Sequence, residues 1–411
     1  MSGKLDTYLQ ALRNRGPVVL LESQSPDHPE GRVSYLAGEP EYVLHMPPGG
    51  GKDNPWDILR ECYAQRQDWL FGFLGYDLKN HLEDLQSANP DPVGAPDLWF
   101  MQPGVLLEYR HGDGDVRALK GEVPAEEVSQ DPKEGSAVLE VSDFTSSTSR
   151  FDYLNRIREA QERIREGDFY EINLSHQMSG QFTGDPFDLY RRMRQVGPVP
   201  FAAFMETGEL SVCSLSPERF LARRGDRVFS QPIKGTVERG ADPEEDRRLR
   251  DGLSVSSKDR AENLMIVDLV RNDLSRVARK ESVTVRDLFQ VQTFGTVHQM
   301  VSTVEARVDT DDPFEIIRAC YPMGSMTGAP KISTMKYIEE LENYRRGVYS
   351  GAIGYLDPKG NFDFNVVIRT ALIRGNRLFY SVGGAITSDS DPGSEWRETL
   401  VKGRALTQLF G

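Results

Sequence analysis

Residues 151–177 read FDYLNRIREAQERIREGDFYEINLSHQ, and this stretch sets the fold class. Tyr153, Leu154, Ile157, Ala160 and Ile164 recur at helical spacing on one face, with charges on the other. Thr148 or Ser149 is a candidate N-cap and Gly167 marks the stop. A strand, FYEINLSHQ, comes next. From there to Gly411 helices and strands interleave without a low-complexity break or an internal repeat. Residues 149–411 are therefore expected to form one α/β unit of the α+β kind.

Upstream, GPVVLLES, RVSYLAG, YVLHM, WLFGFLGYDL and DLWFMQPGVLLEY alternate with turn residues. They predict a β-rich region over 1–110, packed on the main unit. Residues 111–148 are acidic and rich in Gly, Ser and Thr. They read as an exposed connector, with a short strand around Ala137–Val141.

Composition narrows the functions. Across 411 residues, 49 Lys and Arg face 63 Asp and Glu, a net charge of −14. That balance argues against general nucleic-acid binding and against docking on anionic membranes. It leaves open a small anionic substrate, because a few basic groups in a pocket override the global field. Cys62, Cys213 and Cys320 are far apart and form no CxxC, so no disulfide framework or zinc site is indicated. No signal peptide or 18-residue apolar run is present, and a cytoplasmic setting is expected.

Several stretches carry chemistry. In SDPGSEWRETLVKGRAL, Ser394 reads as a cap, and Glu395, Glu398 and Lys402 share one helix face. Two carboxylates one turn apart suit a hard divalent cation, or simply form a solvated acidic face. Residues 261–270 are apolar nearly all round, as in a buried helix, with Glu262 at the polar start. Glu262 could join the same cation or only favour the helix dipole. In CSLSPERFL, Glu218 follows a Ser-Pro turn at the end of an apolar strand. A carboxyl partly buried there could have a raised pKa and act as a general acid; the plainer reading is an N-cap-region acid on a hairpin. CYPMGSMTGAPK (320–331) can offer backbone N–H groups to an anion, and VGGAI (382–386) lets a ligand approach the backbone. His298 in GTVHQMVS is either a satisfied core histidine or a site residue. Arg369 interrupts the apolar FNVVIRTALI, and a buried arginine calls for an anion.

Residues 227–240 read RVFSQPIKGTVERG. Arg227–Ile233 looks like a strand and Gly235-Thr236 like a turn, so Lys234 sits at a strand end.

Taken together and in order, FYEINLS, LSPERFL, QPIKGT, KDRAENLMIVDLVRND, FGTVHQMVS, GSMTGAPK, YSGAIGY, VVIRTA, VGGAIT and SDPGSEWRETLVK resemble the chorismate-utilising enzymes. They cover most of residues 150–411, and LLES (20–23) and GFLGYDL (72–78) extend the likeness to the two amino-adding branches. The resemblance implies a large two-halved sandwich of antiparallel β-sheets with helices outside and the active site between the halves. It implies Mg²⁺ at Glu262, Glu395 and Glu398, holding the ring carboxylate of chorismate. It gives Glu218 the protonation of the departing C4 hydroxyl and places His298 on that side. Ser325, Tyr349, Arg369, Lys402 and the Gly383-Gly384 backbone would contact the carboxylates and the enolpyruvyl group. Gly235 and Thr236 would lie beside the ring.

Glu171 stands where the isochorismate and salicylate synthases carry a lysine that activates water, which argues against water as nucleophile. Lys234 stands where anthranilate synthases have a small residue, as in the aminodeoxychorismate branch. There the lysine attacks C2, and ammonia then attacks C4 and expels it. An ordinary lysine is neutral only about one time in 2,500 at pH 7, so burial or Mg²⁺ is expected to lower its pKa. The alternative role for Lys234 is to pair with a substrate carboxylate. LLES resembles a tryptophan feedback motif, while GPVPFAAFM (197–205) lacks the bulky aromatics of that inhibitor pocket. The expected reaction is amination of chorismate with ammonia supplied by a separate glutamine amidotransferase. No Gly-x-Cys-x-Gly nucleophile context is present in these 411 residues, and neither a glutaminase nor a fused lyase is expected on the chain. The competing readings are an anthranilate synthase component, which would release pyruvate, and a catalytically silent binder of chorismate or tryptophan.

Overall fold

The computed structural model describes residues 3–24, 33–50, 53–124, 138–295 and 297–410. In chain order the elements begin α1 (Gly3–Arg13), β1 (Val18–Glu22), β2 (Val33–Met46), α2 (Pro55–Arg66), β3 (Leu70–Leu74), β4 (Leu98–Arg110), β5 (Asp115–Lys120) and β6 (Glu140–Ser146). Next come α3 (Arg150–Glu166), β7 (Glu171–Thr183), α4 (Pro186–Val196), β8 (Phe201–Glu206), β9 (Leu210–Ser216), β10 (Arg219–Arg224), β11 (Arg227–Gln231) and β12 (Ile233–Glu238). Then follow α5 (Pro243–Val255), α6 (Ser257–Ser275), β13 (Thr284–Thr293), β14 (Val297–Arg307), α7 (Pro313–Cys320), β15 (Gly328–Ala329) and α8 (Lys331–Leu341). The last are β16 (Ala352–Leu356), β17 (Phe362–Asn365), β18 (Thr370–Arg374), β19 (Arg377–Ile386) and α9 (Pro392–Thr407).

The pairings between these strands are antiparallel and trace two wings. One runs β7–β19–β18–β9–β8–β1–β2, with β6 and β15 also on β7. The other runs β3–β16–β17–β10–β11–β14, and β14 also takes β12 and β13. The long strand β4 joins the wings: it pairs with β2 along its length and with β3 over Leu98–Met101.

Alternation of side chains turns these wings into layers. Val19, Ala203 and Met205 from the first wing meet Phe71, Phe73 and Ile353 from the second in one buried cluster. Their neighbours Val18, Leu20, Ala202 and Phe204 face the other way, against Leu5, Leu9 and Leu12 of α1 and Phe187 of α4. On the far side of the second wing, Leu70 and Leu74 join Trp56 of α2, Ile266 of α6 and Phe314 of α7. The order is helix, sheet, sheet, helix. A smaller cluster seats α3 and α8 on the start of β7 through Tyr153, Ile157, Ile338, Ile172 and Leu174.

The structure refines the local expectations. Ser149 caps α3 by accepting from Asp152 N–H, and Gly167 closes it at φ 90°. The N-terminal β-rich region also holds two helices, α1 and α2. Within 111–148, β5 pairs with β4 and β6 with β7. Ala137 lies outside the described residues, and the expected short strand starts later, at Glu140. Asp391, not Ser394, caps α9, because Pro392 at the first helical position puts the acceptor one residue earlier. The helix across 261–270 buries one face only; Leu264 points outward at 45% exposure. The apolar run around Arg369 is not one strand: β17 ends at Asn365 and β18 starts at Thr370, with Arg369 at φ 51°.

Candidate active site

Lys234 does not end a strand. Pro232 cannot donate to the ladder, so β11 stops at Gln231 and β12 restarts at Ile233 on the same neighbour, β14. The register slips between Ile233 and Thr236, and Gly235 takes φ 83°. A side chain there would be strained and would also strike Asp259, 2.9 Å from an added Cβ. This bulge carries Lys234 to Glu171 on β7, with Nζ donating to Oε1 at 2.7 Å. The lysine side chain is 11% exposed and the glutamate 1%.

The lysine pKa runs against the expected direction. Burial pulls it down, but Glu171, with Glu262 and Glu218 nearby, outweighs burial and leaves it raised. Lys234 therefore rests as an ammonium. Glu218 behaves as expected: burial pushes its carboxyl up to about 7, against smaller opposing effects of Ser325, Lys234, the Ile233 N–H and Arg369. A carboxyl poised there is protonated on demand near neutral pH.

Arg369 is held down by burial, offset in part by Tyr380 and Glu218. Among the described residues its guanidinium has no hydrogen bond or ion pair, an arrangement that favours an incoming carboxylate. Nearby, Arg346 and Glu342 form a buried pair. Arg346 ties together Met326 O, Asn173 O and Ser350 Oγ and lies over the ring of the buried Tyr349.

The second group of expected residues converges on β19. An added Cβ on Gly384 would stand 3.5 Å from Glu395 Oε2 and 3.8 Å from Glu398 Oε1, so glycine keeps the space above it open. Lys402 Nζ donates to Gly383 O at 2.9 Å and pairs with Glu398 at 2.7 Å. Ser390 Oγ donates to Glu395 Oε1 at 2.8 Å, and Gln161 holds the Ser390 carbonyl at 2.8 Å. Burial, with Glu398 alongside, raises Glu395. For Glu398 burial also raises, but Lys402 and other lysines prevail and lower it. Glu262, raised chiefly by burial, sits 3.9 Å from Lys258, which also acts on Glu395 and Glu398. The donor set is all carboxylate, which fits a hard cation such as Mg²⁺. Among the described residues no three such side chains already converge on one point.

Other expected residues stand further from this hydrogen bonding. Both ring nitrogens of the buried His298 are engaged, by Thr293 Oγ1 at 2.9 Å and Asp246 Oδ1 at 3.0 Å. Thr236 Oγ1 accepts from Gln299 at 3.3 Å. Glu22 of the LLES stretch is bound to Tyr190 and Arg194.

Sequence reading missed a set of buried polar atoms around the site. Glu171 Oε2, Asn173 Oδ1, Asn263 Nδ2, Gln299 Oε1 and Tyr380 Oη have no hydrogen-bond partner among the described residues. Each belongs to a residue beside an expected one: Lys234, Ser325, Glu262, Thr236 and Arg369 in turn. Buried polar groups are normally satisfied, so the two orphans on β7, Glu171 Oε2 and Asn173 Oδ1, beside Lys234 and Ser325, mark a place built for a ligand.

The model of the chorismate binding enzyme family matches residues 16–408. The chain belongs to the chorismate-binding enzymes. It is 43% identical over 368 residues to an aminodeoxychorismate synthase of Streptomyces griseus, covering 85% of this chain and 50% of that one. It thus spans half the length of that relative. It is 34% identical to aminodeoxychorismate synthase component 1 of Escherichia coli, covering 98% of this chain and 95% of that one. Among solved structures, anthranilate synthase component I of Streptococcus pneumoniae superposes with a TM-score of 0.82, at 28% identity and 92% coverage of both chains. The two-halved fold expected of this chorismate-binding enzyme is the fold observed.

Proposed function

We propose that this chorismate-binding enzyme is the synthase component that aminates chorismate to 4-amino-4-deoxychorismate, an intermediate toward 4-aminobenzoate and folate. The observation that carries the reading is Lys234, fixed on a bulge within 2.7 Å of a buried carboxylate and electrostatically coupled to Glu218. Arg369 receives a substrate carboxylate. Glu171 takes a proton from Lys234, and the freed amine attacks C2. The C4–O bond breaks as Glu218 delivers its proton, and water leaves. Ammonia attacks C4, and the C2–N bond breaks with its electron pair returning to Lys234. Glu262, Glu395 and Glu398 would hold Mg²⁺, which supplies a positive anchor for the ring carboxylate. Ammonia comes from a glutamine amidotransferase partner, in line with the "component 1" name of the Escherichia coli relative. The reading places the enzyme in the cytoplasm; no described helix is long and apolar enough to cross a membrane.

The test is turnover of chorismate with ammonium chloride and MgCl₂, followed by mass spectrometry and a pyruvate assay. A product that keeps the enolpyruvyl group, formed without pyruvate and lost in Lys234→Ala, supports the reading. The likeness to an anthranilate synthase fold favours one competitor. Anthranilate with equal pyruvate would establish that competitor and refute ours.

A further inference from the structure

On β7 the even positions Ile172 and Leu174 pack against α3 and α8. The odd positions Glu171, Asn173 and Ser175 therefore share the opposite face. That face meets the reacting groups: Glu171 Oε1 receives Lys234, and Asn173 Nδ2 donates at 3.4 Å to the carbonyl of Ser325, whose hydroxyl bonds Glu218. The remaining oxygens of the two side chains, Glu171 Oε2 and Asn173 Oδ1, are unsatisfied among the described residues. Their residues are only 1% and 8% exposed. The Nδ2 contact fixes which amide atom is oxygen, because only the NH₂ group can donate to a carbonyl.

Both orphans are acceptors. Chorismate is rich in acceptors, with two carboxylates and an ether, and offers one hydroxyl as donor. Two neighbouring acceptors on one strand face call for a small molecule that brings several N–H groups.

We propose that Glu171 Oε2 and Asn173 Oδ1 form the ammonia subsite. The inference rests on the amination reading above and adds the place from which the nucleophile is delivered. Two N–H bonds of ammonia point to these oxygens, and the nitrogen lone pair stays free for C4. When the C4–N bond forms, nitrogen becomes a substituted ammonium and the C2–N bond to Lys234 breaks. Lys234, released as an amine, takes back the proton it gave to Glu171, and the new ammonium returns a proton to Glu218, which was left as a carboxylate once water had departed.

Asn173 is the discriminating position, because Glu171 also holds Lys234. Initial rates would be measured against ammonium chloride at fixed pH, with saturating chorismate and MgCl₂. Asn173→Ala is expected to raise KM for ammonia about tenfold, the worth of one hydrogen bond, with KM for chorismate within about twofold. Asn173→Asp keeps the acceptor and loses the donor to Ser325, so its KM for ammonia is expected to stay close to wild type. Equal rises in both variants would make Asn173 a structural support of Ser325 and overturn the subsite, as would an unchanged KM in Asn173→Ala. If Asn173→Ala fails to fold, Asn173→Ser takes its place, with the same outcomes deciding. A wild type that forms no amine product refutes the amination reading and the subsite with it. A wild type that aminates normally beside an unaffected variant refutes the subsite alone.

Discussion

Replacing Glu218 with glutamine should make the protein less active, and more stable at every pH above the range in which both folded and unfolded states keep the proton. The folded state holds the Glu218 proton up to about pH 7, whereas an ordinary glutamate releases it near 4.5. Below pH 4.5 both states are protonated, and burial of the neutral acid carries no charge penalty. Between 4.5 and 7 the unfolded chain releases a proton that the folded chain keeps, so stability falls as pH rises. Above 7 the loss is complete, and the gap corresponds to about 3 kcal/mol. Only 6% of Glu218 is exposed, so solvent screening removes little of this. Glutamine keeps a carbonyl that can accept from Ser325 and the Ile233 N–H but cannot ionise. Urea denaturation of both proteins from pH 4 to 8 would read the difference. Wild type and Glu218→Gln should coincide near pH 4 and separate to about 3 kcal/mol in favour of the variant at pH 8. Turnover of the variant should fall by roughly 10²–10⁴-fold, the usual worth of a general acid, and wild-type kcat/KM should decline above about pH 7. Stability curves that stay parallel across this range would refute the buried-acid argument, whatever the activity.

Three further outcomes follow from the same geometry. Arg369→Met should raise KM for chorismate by about 10-fold or more, since a charge-assisted hydrogen bond contributes about 1.5–3 kcal/mol. Steady-state kinetics would check it, and an unchanged KM would remove Arg369 from substrate binding. Glu342→Ala should destabilise the fold by about 3–5 kcal/mol, because it leaves the guanidinium of Arg346, itself 2% exposed, without its carboxylate. Thermal melts would read this as a drop in Tm. Removing Mg²⁺ with EDTA should abolish turnover and MgCl₂ should restore it, while Glu398→Gln should need about 10-fold or more Mg²⁺ for half-saturation in a calorimetric titration.

Much of this was legible one element at a time. The period of 151–166 and Gly167 give α3, and the Ser-Pro turn after an apolar strand places Glu218 where burial raises its carboxyl. α1 and α2 were harder, because short helices depend on what they pack against. Leu5, Leu9 and Leu12 do repeat at helical spacing, and Asn54-Pro55 is a cap followed by proline, so a signal was present. The charge state of Lys234 was hidden for a different reason. Its partner Glu171 lies 63 residues away, and only sheet pairing through β15 and β19 fixes the strand that carries it. Asn173 lay within reach: it stands two residues after Glu171, and a strand period of two puts both on one face.

The join between the wings has a consequence for how the protein is made. Phe73 of β3 pairs with Ile353 of β16, so that contact spans 280 residues of chain. A ribosome adding about 5–20 residues per second needs roughly 15–60 s to cover that distance. Throughout that interval the edge of β3 that will receive β16 has no partner, and Phe71 and Phe73 lack the cover of Ile353 and Tyr355. Unpaired, apolar strand edges recruit other chains. Yield in a cell should therefore track chaperone capacity during translation more closely than the stability of the finished fold.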